Sequence, residues 1–142
     1  MAYTTIDKST DHFNANLHTG TTDAQSITGV GHQPDLTWIK VRNDSNDHNM
    51  FDSSRSNFGE RIFPNQASAS DSVASVSANS DGFATGTGYG DINNTSGANN
   101  YVAWQWKCNG GTSSASGSES GTNLAYNFQV NTTSKFMINL YT

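Results

Sequence analysis

Apolar and polar residues alternate along this chain in short runs, punctuated by Gly, Asn, Ser and Thr. In HFNANLHTG, Phe13, Ala15 and Leu17 alternate with His12, Asn14, Asn16 and His18, the period-two signature of a half-buried strand. SITGVG (26–31) is a short run bounded by glycine. In PDLTWIKVR (34–42), Leu36, Trp38 and Lys40 share one face and Thr37, Ile39 and Val41 the other. Bulk on both faces predicts a central strand, partly covered on both sides. MFDS (50–53) resumes the apolar pattern after the polar turn 43–49, so the two runs predict a hairpin with a long tip. RIF (61–63) stops at Pro64, a residue that cannot donate to a strand ladder. Residues 65–80 carry mixed signals: Val73 and Val76 stand at helical spacing, while the Ser-rich alternation reads better as loop or edge strand. DGFATG (81–86), YGDI (89–92), YVAWQWKC (101–108), LAYNFQV (124–130) and KFMINLYT (135–142) complete the series. About ten short strands without a convincing helical period predict an all-β fold. An antiparallel β-sandwich or jelly roll of lectin-like type is expected, with a closed barrel as the alternative.

The run YVAWQWKC sets the expected core. Val102, Trp104, Trp106 and Cys108 project to one side, and Tyr101, Ala103, Gln105 and Lys107 to the other. Two tryptophans aligned with a Val and a Cys read as core plugs, and a sugar-stacking platform is the competing reading. The expected core signature is Trp38, Phe51, Phe83, Val102, Trp104 and Trp106.

Composition narrows the class. Only 33% of residues are apolar and 13% charged, which alone would suit a disordered chain. The three Trp, five Tyr and seven Phe argue for order instead. The net charge of −5 and the absence of a basic stripe exclude a nucleic-acid backbone as an expected partner. No apolar run approaches a membrane-spanning length, and MAYTTIDKSTDHF lacks the pattern of a signal peptide, so cytoplasmic synthesis is expected. Cys108, the one cysteine, has no partner for an intrachain disulfide.

Three segments are expected: a main β-sandwich over 1–109, a Gly/Ser-rich linker or long loop over 110–123, and terminal strands over 124–142. Phe13-Asn-Ala-Asn-Leu-His-Thr and Phe136-Met-Ile-Asn-Leu-Tyr-Thr share F-x-x-N-L-(ring)-T. The terminal strands therefore either close the sandwich or open an incomplete second repeat.

The chemistry-bearing motifs are sparse. No expected strand carries two acids at i, i+2 or i, i+4, the pairing that sugar hydrolysis by two carboxylates needs. Asp52 is the best lone acid, and a turn-capping role suits it better. GTSSASGSESG misses the register of a nucleophile elbow. His12 and His18 are six residues apart, and DSNDHN lacks the glycine at the sixth position of a calcium loop. No catalytic residue, metal site or cofactor is expected, and the chain does not read as an enzyme. Tyr89, Asp91, Asn94 and Asn100 are loop residues with the stacking and hydrogen-bonding chemistry of a glycan contact.

Five blocks occur in order: YTTIDKSTDHFN, TGVGHQPDLTWIKVR, MFDSSR, NSDGFATG and NYVAWQWKCNGG. As a set they resemble a repeat domain of large virion-associated proteins of marine bacteriophages, over residues 2 to about 111. His32 stands where that family usually has Phe, and Gln105 where it usually has Cys. The resemblance implies a virion structural protein with a lectin-like or jelly-roll fold: a capsid decoration or a tail-appendage module. Its implied partners are a capsid or tail protein and copies of itself. A carbohydrate-binding module that attaches to a host-surface glycan is the alternative function.

Overall fold

A computed structural model describes residues 6–21, 23–72, 75–87, 89–94, 99–111, 115–118 and 125–141. Val73, residues 95–98, and residues 112–114 and 119–123 of the expected linker lie outside them. The chain is an all-β sandwich of antiparallel strands. In order these are β1 (Phe13–Thr19), β2 (Gln25–Thr28), β3 (Leu36–Val41), β4 (Asn49–Asp52), β5 (Glu60–Ile62), β6 (Asp71–Ser72), β7 (Val76–Asn79), β8 (Gly82–Thr85), β9 (Asn100–Trp106), β10 (Ala115–Ser118), β11 (Ala125–Asn131) and β12 (Phe136–Tyr141). A large sheet runs β1-β9-β3-β4-β5-β6, a small one β2-β8-β7, and a terminal one β10-β11-β12.

The core lies between the large and small sheets. Ile39, Val41, Phe51, Tyr101 and Ala103 come from the large sheet, Ile27, Val76 and Phe83 from the small one, and Phe58 and Ile92 from connecting segments. Phe51 and Phe83 are fully buried, as expected. The turn that feeds β8 requires Gly82, whose φ of +145° and close approach to the Ile27 carbonyl leave no room for a side chain.

The rest of the expected core signature is on the wrong side. Along β9 the buried residues are Tyr101, Ala103 and Gln105, while Val102, Trp104 and Trp106 are half-buried on the opposite, outer face. Trp38 is half-buried on that same face of β3, whose buried set is Thr37, Ile39 and Val41. Cross-strand register explains the inversion. Tyr101, Ala103 and Gln105 lie opposite Val41, Ile39 and Thr37, so the face carrying Ile39 and Val41 takes these three side chains inward with it. Gln105 is fully buried, and with its amide nitrogen turned toward them it meets the Asn14 and Ala103 carbonyls at 2.8 and 3.3 Å.

β1 is inverted in the same sense. Its even residues face the small sheet, where Asn14 Nδ2 donates to the Val30 carbonyl at 3.0 Å and Asn16 Nδ2 to the Thr28 carbonyl at 3.3 Å. Its odd residues face outward: Phe13 is 38% exposed and Leu17 66%. His18, on the inner face, stacks on Tyr101 with ring centroids 5.0 Å apart and meets Phe83 edge-on at 5.8 Å.

Two further differences follow from pairing that local sequence does not carry. Residues 115–118, inside the expected linker, form β10 and pair with β11. The segment 89–92 is a turn closed by a single bridge between Tyr89 and Asn93, where a strand is expected. In the mixed-signal stretch Asp71–Ser72 and Val76–Asn79 are edge strands, in keeping with the expected loop or edge strand.

The terminal sheet docks through buried polar groups. Asp35, 2% exposed, accepts from Ser53 Oγ (2.8 Å), Cys108 N (2.6 Å) and Gly111 N (3.0 Å). Gln129, fully buried in β11, accepts from Asn109 N at 3.0 Å and donates to Ser53 and Ser54 Oγ at 2.8 and 2.7 Å. The end of β9 is thus tied to both the β4 end and β11. Asp35 and Gln129 thus each have several partners, as low dielectric demands.

Two predictions follow. Phe83→Ala should cost about 3–5 kcal/mol in chemical denaturation. Trp104→Ala, removing a half-buried outer ring, should cost less than half of that; equal losses would return the tryptophans to the core. The second concerns pH. Burial holds the imidazoles of His18 and His32 below their ordinary pKa of 6.5. The unfolded chain therefore binds more protons, so this stability is full above about pH 6.5 and is lost as pH falls toward the folded values. Melting temperature should drop between pH 7 and 5, and His18→Phe should flatten that slope; an unchanged slope would remove His18 as its source.

Candidate functional site

The outer face of the large sheet is the most distinctive surface of the molecule. Antiparallel register aligns Phe13 with Trp106, Ala15 with Trp104 and Leu17 with Val102. The neighbouring strand adds Leu36 beside Trp106 and Trp38 beside Trp104. Trp38 and Trp104 meet edge-to-face at 5.7 Å, and the Trp38 indole N–H donates to His48 Nδ1 at 3.0 Å. Offset and edge-on contacts are the favoured geometry of aromatic pairs. Each ring is therefore held in place by its neighbours while one side of it stays accessible.

At one end of this face the aromatic row leaves the sheet. Trp106 is flanked by Phe13 at 5.0 Å and by Phe136 of β12 at 5.9 Å, nearly parallel to it. The two copies of F-x-x-N-L thus bring their phenylalanines to one tryptophan. Beside the three rings is a pocket of about 320 Å³ whose polar lining is His12, Ser9, Ser134 and Lys135. The turn from β11 to β12 builds its rim: Asn131 Oδ1 accepts from Thr133 N and Ser134 N, both at 3.1 Å. That turn ends on Lys135 in the left-handed region, at φ 61°. Sequence reading missed His12, Ser134, Lys135 and Phe136 as a group, because a turn 120 residues from β1 brings them together. The shared F-x-x-N-L motif was the one signal that linked the two ends.

The expected glycan loop is engaged in holding the fold. Asp91 Oδ2 lies 3.4 Å from Arg61 Nη1, and the same guanidinium donates to Asp71 at 2.6 and 3.0 Å and to Asn49 Oδ1 at 3.0 Å. These hydrogen bonds hold the Asp71 carboxyl below, and the Arg61 guanidinium above, their ordinary pKa values. Asn94 N donates to Tyr101 Oη at 3.0 Å, and that hydroxyl donates to the Gly90 carbonyl at 2.8 Å. Asn100 lies elsewhere, at the start of β9, where its side chain accepts from Thr19 Oγ1 at 3.1 Å. Tyr89 is 38% exposed. The organiser of the loop is Asn93, 1% exposed, which donates to the Asp23 and Gly86 carbonyls at 3.0 and 2.9 Å and accepts from Thr21 N at 2.7 Å.

Asp52 is a turn acid. Its Oδ1 accepts from Ser54 N at 3.0 Å and Arg55 N at 2.8 Å, and burial raises its pKa against the pull of Arg55. Among the described residues no group of three or more His, Cys, Asp or Glu side chains is arranged to hold a metal ion. Cys108 is buried, and burial raises its thiol pKa, the opposite of what a reactive cysteine needs. No described helix is long and apolar enough to cross a membrane.

No curated protein and no solved structure matches this chain. One family model does, over residues 8–142, from just before β1 to the end of β12 and so across the sandwich, the aromatic face and the docked terminal strands together. With that coverage, the chain belongs to the family described as the domain of unknown function DUF7483.

Proposed function

We propose that this chain is a non-catalytic structural module of a bacteriophage particle, a capsid decoration or tail-appendage domain that assembles by protein–protein contact. The observation that carries the reading is the outer face of the large sheet, where Leu17 is 66% exposed beside half-buried Val102, Trp104 and Trp38. Exposed apolar groups gathered on one sheet face mark an interaction surface. Interface cores are enriched in aromatic residues, and tryptophans anchor them. The ordered sequence blocks that resemble marine phage virion proteins supply the context, and the surrounding Ser/Thr/Asn surface suits a protein that meets its partner through one patch. A capsid or tail protein, or a symmetric copy of the chain itself, is the proposed partner.

The test uses purified particles of the source phage. The chain should be found on them by mass spectrometry and as ordered density by cryo-electron microscopy. Leu17→Asp should keep the wild-type melting temperature within a degree or two, because the side chain is exposed, and lower incorporation at least about tenfold, as loss of an interface anchor does. A chain absent from particles, or a Leu17→Asp variant incorporated at wild-type levels, would overturn the proposal.

A further inference from the structure

The pocket beside Trp106 carries chemistry that assembly through Leu17 does not use. Its walls are the rings of Phe13, Trp106 and Phe136, and its polar groups are donors. His12 Nδ1 faces Asn131 Nδ2 at 3.2 Å; an amide N–H there makes Nδ1 the acceptor and leaves the ring proton on Nε2. Lys135 is exposed at the rim. Among the described residues no acidic side chain lines the pocket, although the chain as a whole carries a net charge of −5. The positive and donor character is therefore local.

Lys135 adds a second line of argument. It occupies the left-handed backbone region, where glycine or asparagine is the low-cost choice. A turn selected for stability alone would carry one of those. A conformational outlier at a pocket rim points to a side chain kept for what it contacts.

We infer that this pocket binds an acidic sugar, a pyranose bearing a carboxylate, as one unit of a glycan. The C–H face of the ring lies against the aromatic walls, the carboxylate meets the Lys135 ammonium, and His12 donates to a ring hydroxyl. A few placed polar groups on aromatic walls are the usual composition of a small-ligand site, and the volume is at the lower end of that range. One cation suits a single carboxylate better than the several charges of a nucleotide. The inference is independent of the particle reading, since the pocket belongs to the isolated domain.

The experiment is saturation-transfer NMR and calorimetry on the purified chain with glucuronate oligosaccharides, matched neutral glucose oligosaccharides, AMP, and a short peptide ending in a free carboxylate. The glucuronate ligand should bind in preference to the other three and weaken as salt rises. Lys135→Gly should lower glucuronate affinity at least about tenfold while raising the melting temperature by about 2–4 °C, because glycine relieves the left-handed backbone. Phe13→Ala, at a 38% exposed position, should weaken acidic and neutral ligands alike. Absence of glucuronate binding by the folded chain, preference for AMP or the peptide, or unchanged affinity in Lys135→Gly would each overturn the assignment. Because no particle is involved, any of these failures leaves the assembly proposal standing.

Discussion

Everything in this fold depends on which face of β9 meets Phe83. That ring is fully buried between the two sheets, and the groups it packs near from the large sheet include His18 and, with it, Tyr101. Once Tyr101 points inward, period-two alternation sends Ala103 and Gln105 inward as well and puts Val102, Trp104 and Trp106 outside. Register carries the decision across the sheet. Asn14 and Asn16 follow inward on β1, and Thr37, Ile39 and Val41 on β3. A slip of one residue in either pairing would reverse every side chain. The Asn14 and Asn16 bonds to β2-end carbonyls resist that slip on the edge strand.

The inner face is consequently more polar than the outer one at the β1 edge. This arrangement is stable because the polar groups find backbone partners across the sheets. Burying an amide without a partner costs more than its bond returns, so an inward Asn is tolerated only where a carbonyl awaits it. The same logic operates at the other end of the core, where Asp35 and Gln129 join the end of β4, the segment after β9 and β11 and so fasten the terminal strands. Asn93 does this for the loop after β8. The sandwich has a modest apolar core supplemented by buried amides and the carboxylates of Asp35 and Asp52, which accommodates a chain with only 33% apolar residues.

Much of this was legible in the sequence, and the failures have a common cause. Alternation located most of the strands, and the two faces of β3 and β9 were sorted correctly into their members. The choice between faces goes wrong at β9 because hydrophobicity alone ranks the tryptophan row as the buried one. Burial is decided by what a face packs against: Ile39, Val41 and Phe51 across the sheet outweigh the size of Trp104. β10 is hidden because Ala-Ser-Gly-Ser has no period of its own, and only pairing with β11 makes it a strand. The partner of Asp91 is hidden in the same way, because Arg61 reaches it from β5. The Trp106 pocket joins residues 12–13, 106 and 134–136, a proximity that no local pattern reports.

The apolar outer face then needs its own physical account. Leaving a Leu or Phe side chain in water forgoes about 1.5–3 kcal/mol relative to full burial. On β1 that loss falls on Leu17 and, in part, on Phe13. A sequence optimised for the folded monomer would shorten or polarise both. At Phe13 the loss is reduced by contact with Trp106, which also packs against Phe136, so these rings form walls instead of a bare patch. Leu17 pairs across the strands with Val102, which is only half-buried. The two ends of the face thus differ in kind: one holds a pocket walled by rings and edged by donors, the other presents an exposed aliphatic side chain. A pocket suits a small ligand, and an exposed aliphatic group suits a protein surface that can close over it. That difference would let one strand serve both proposed contacts without either competing for the other's residues.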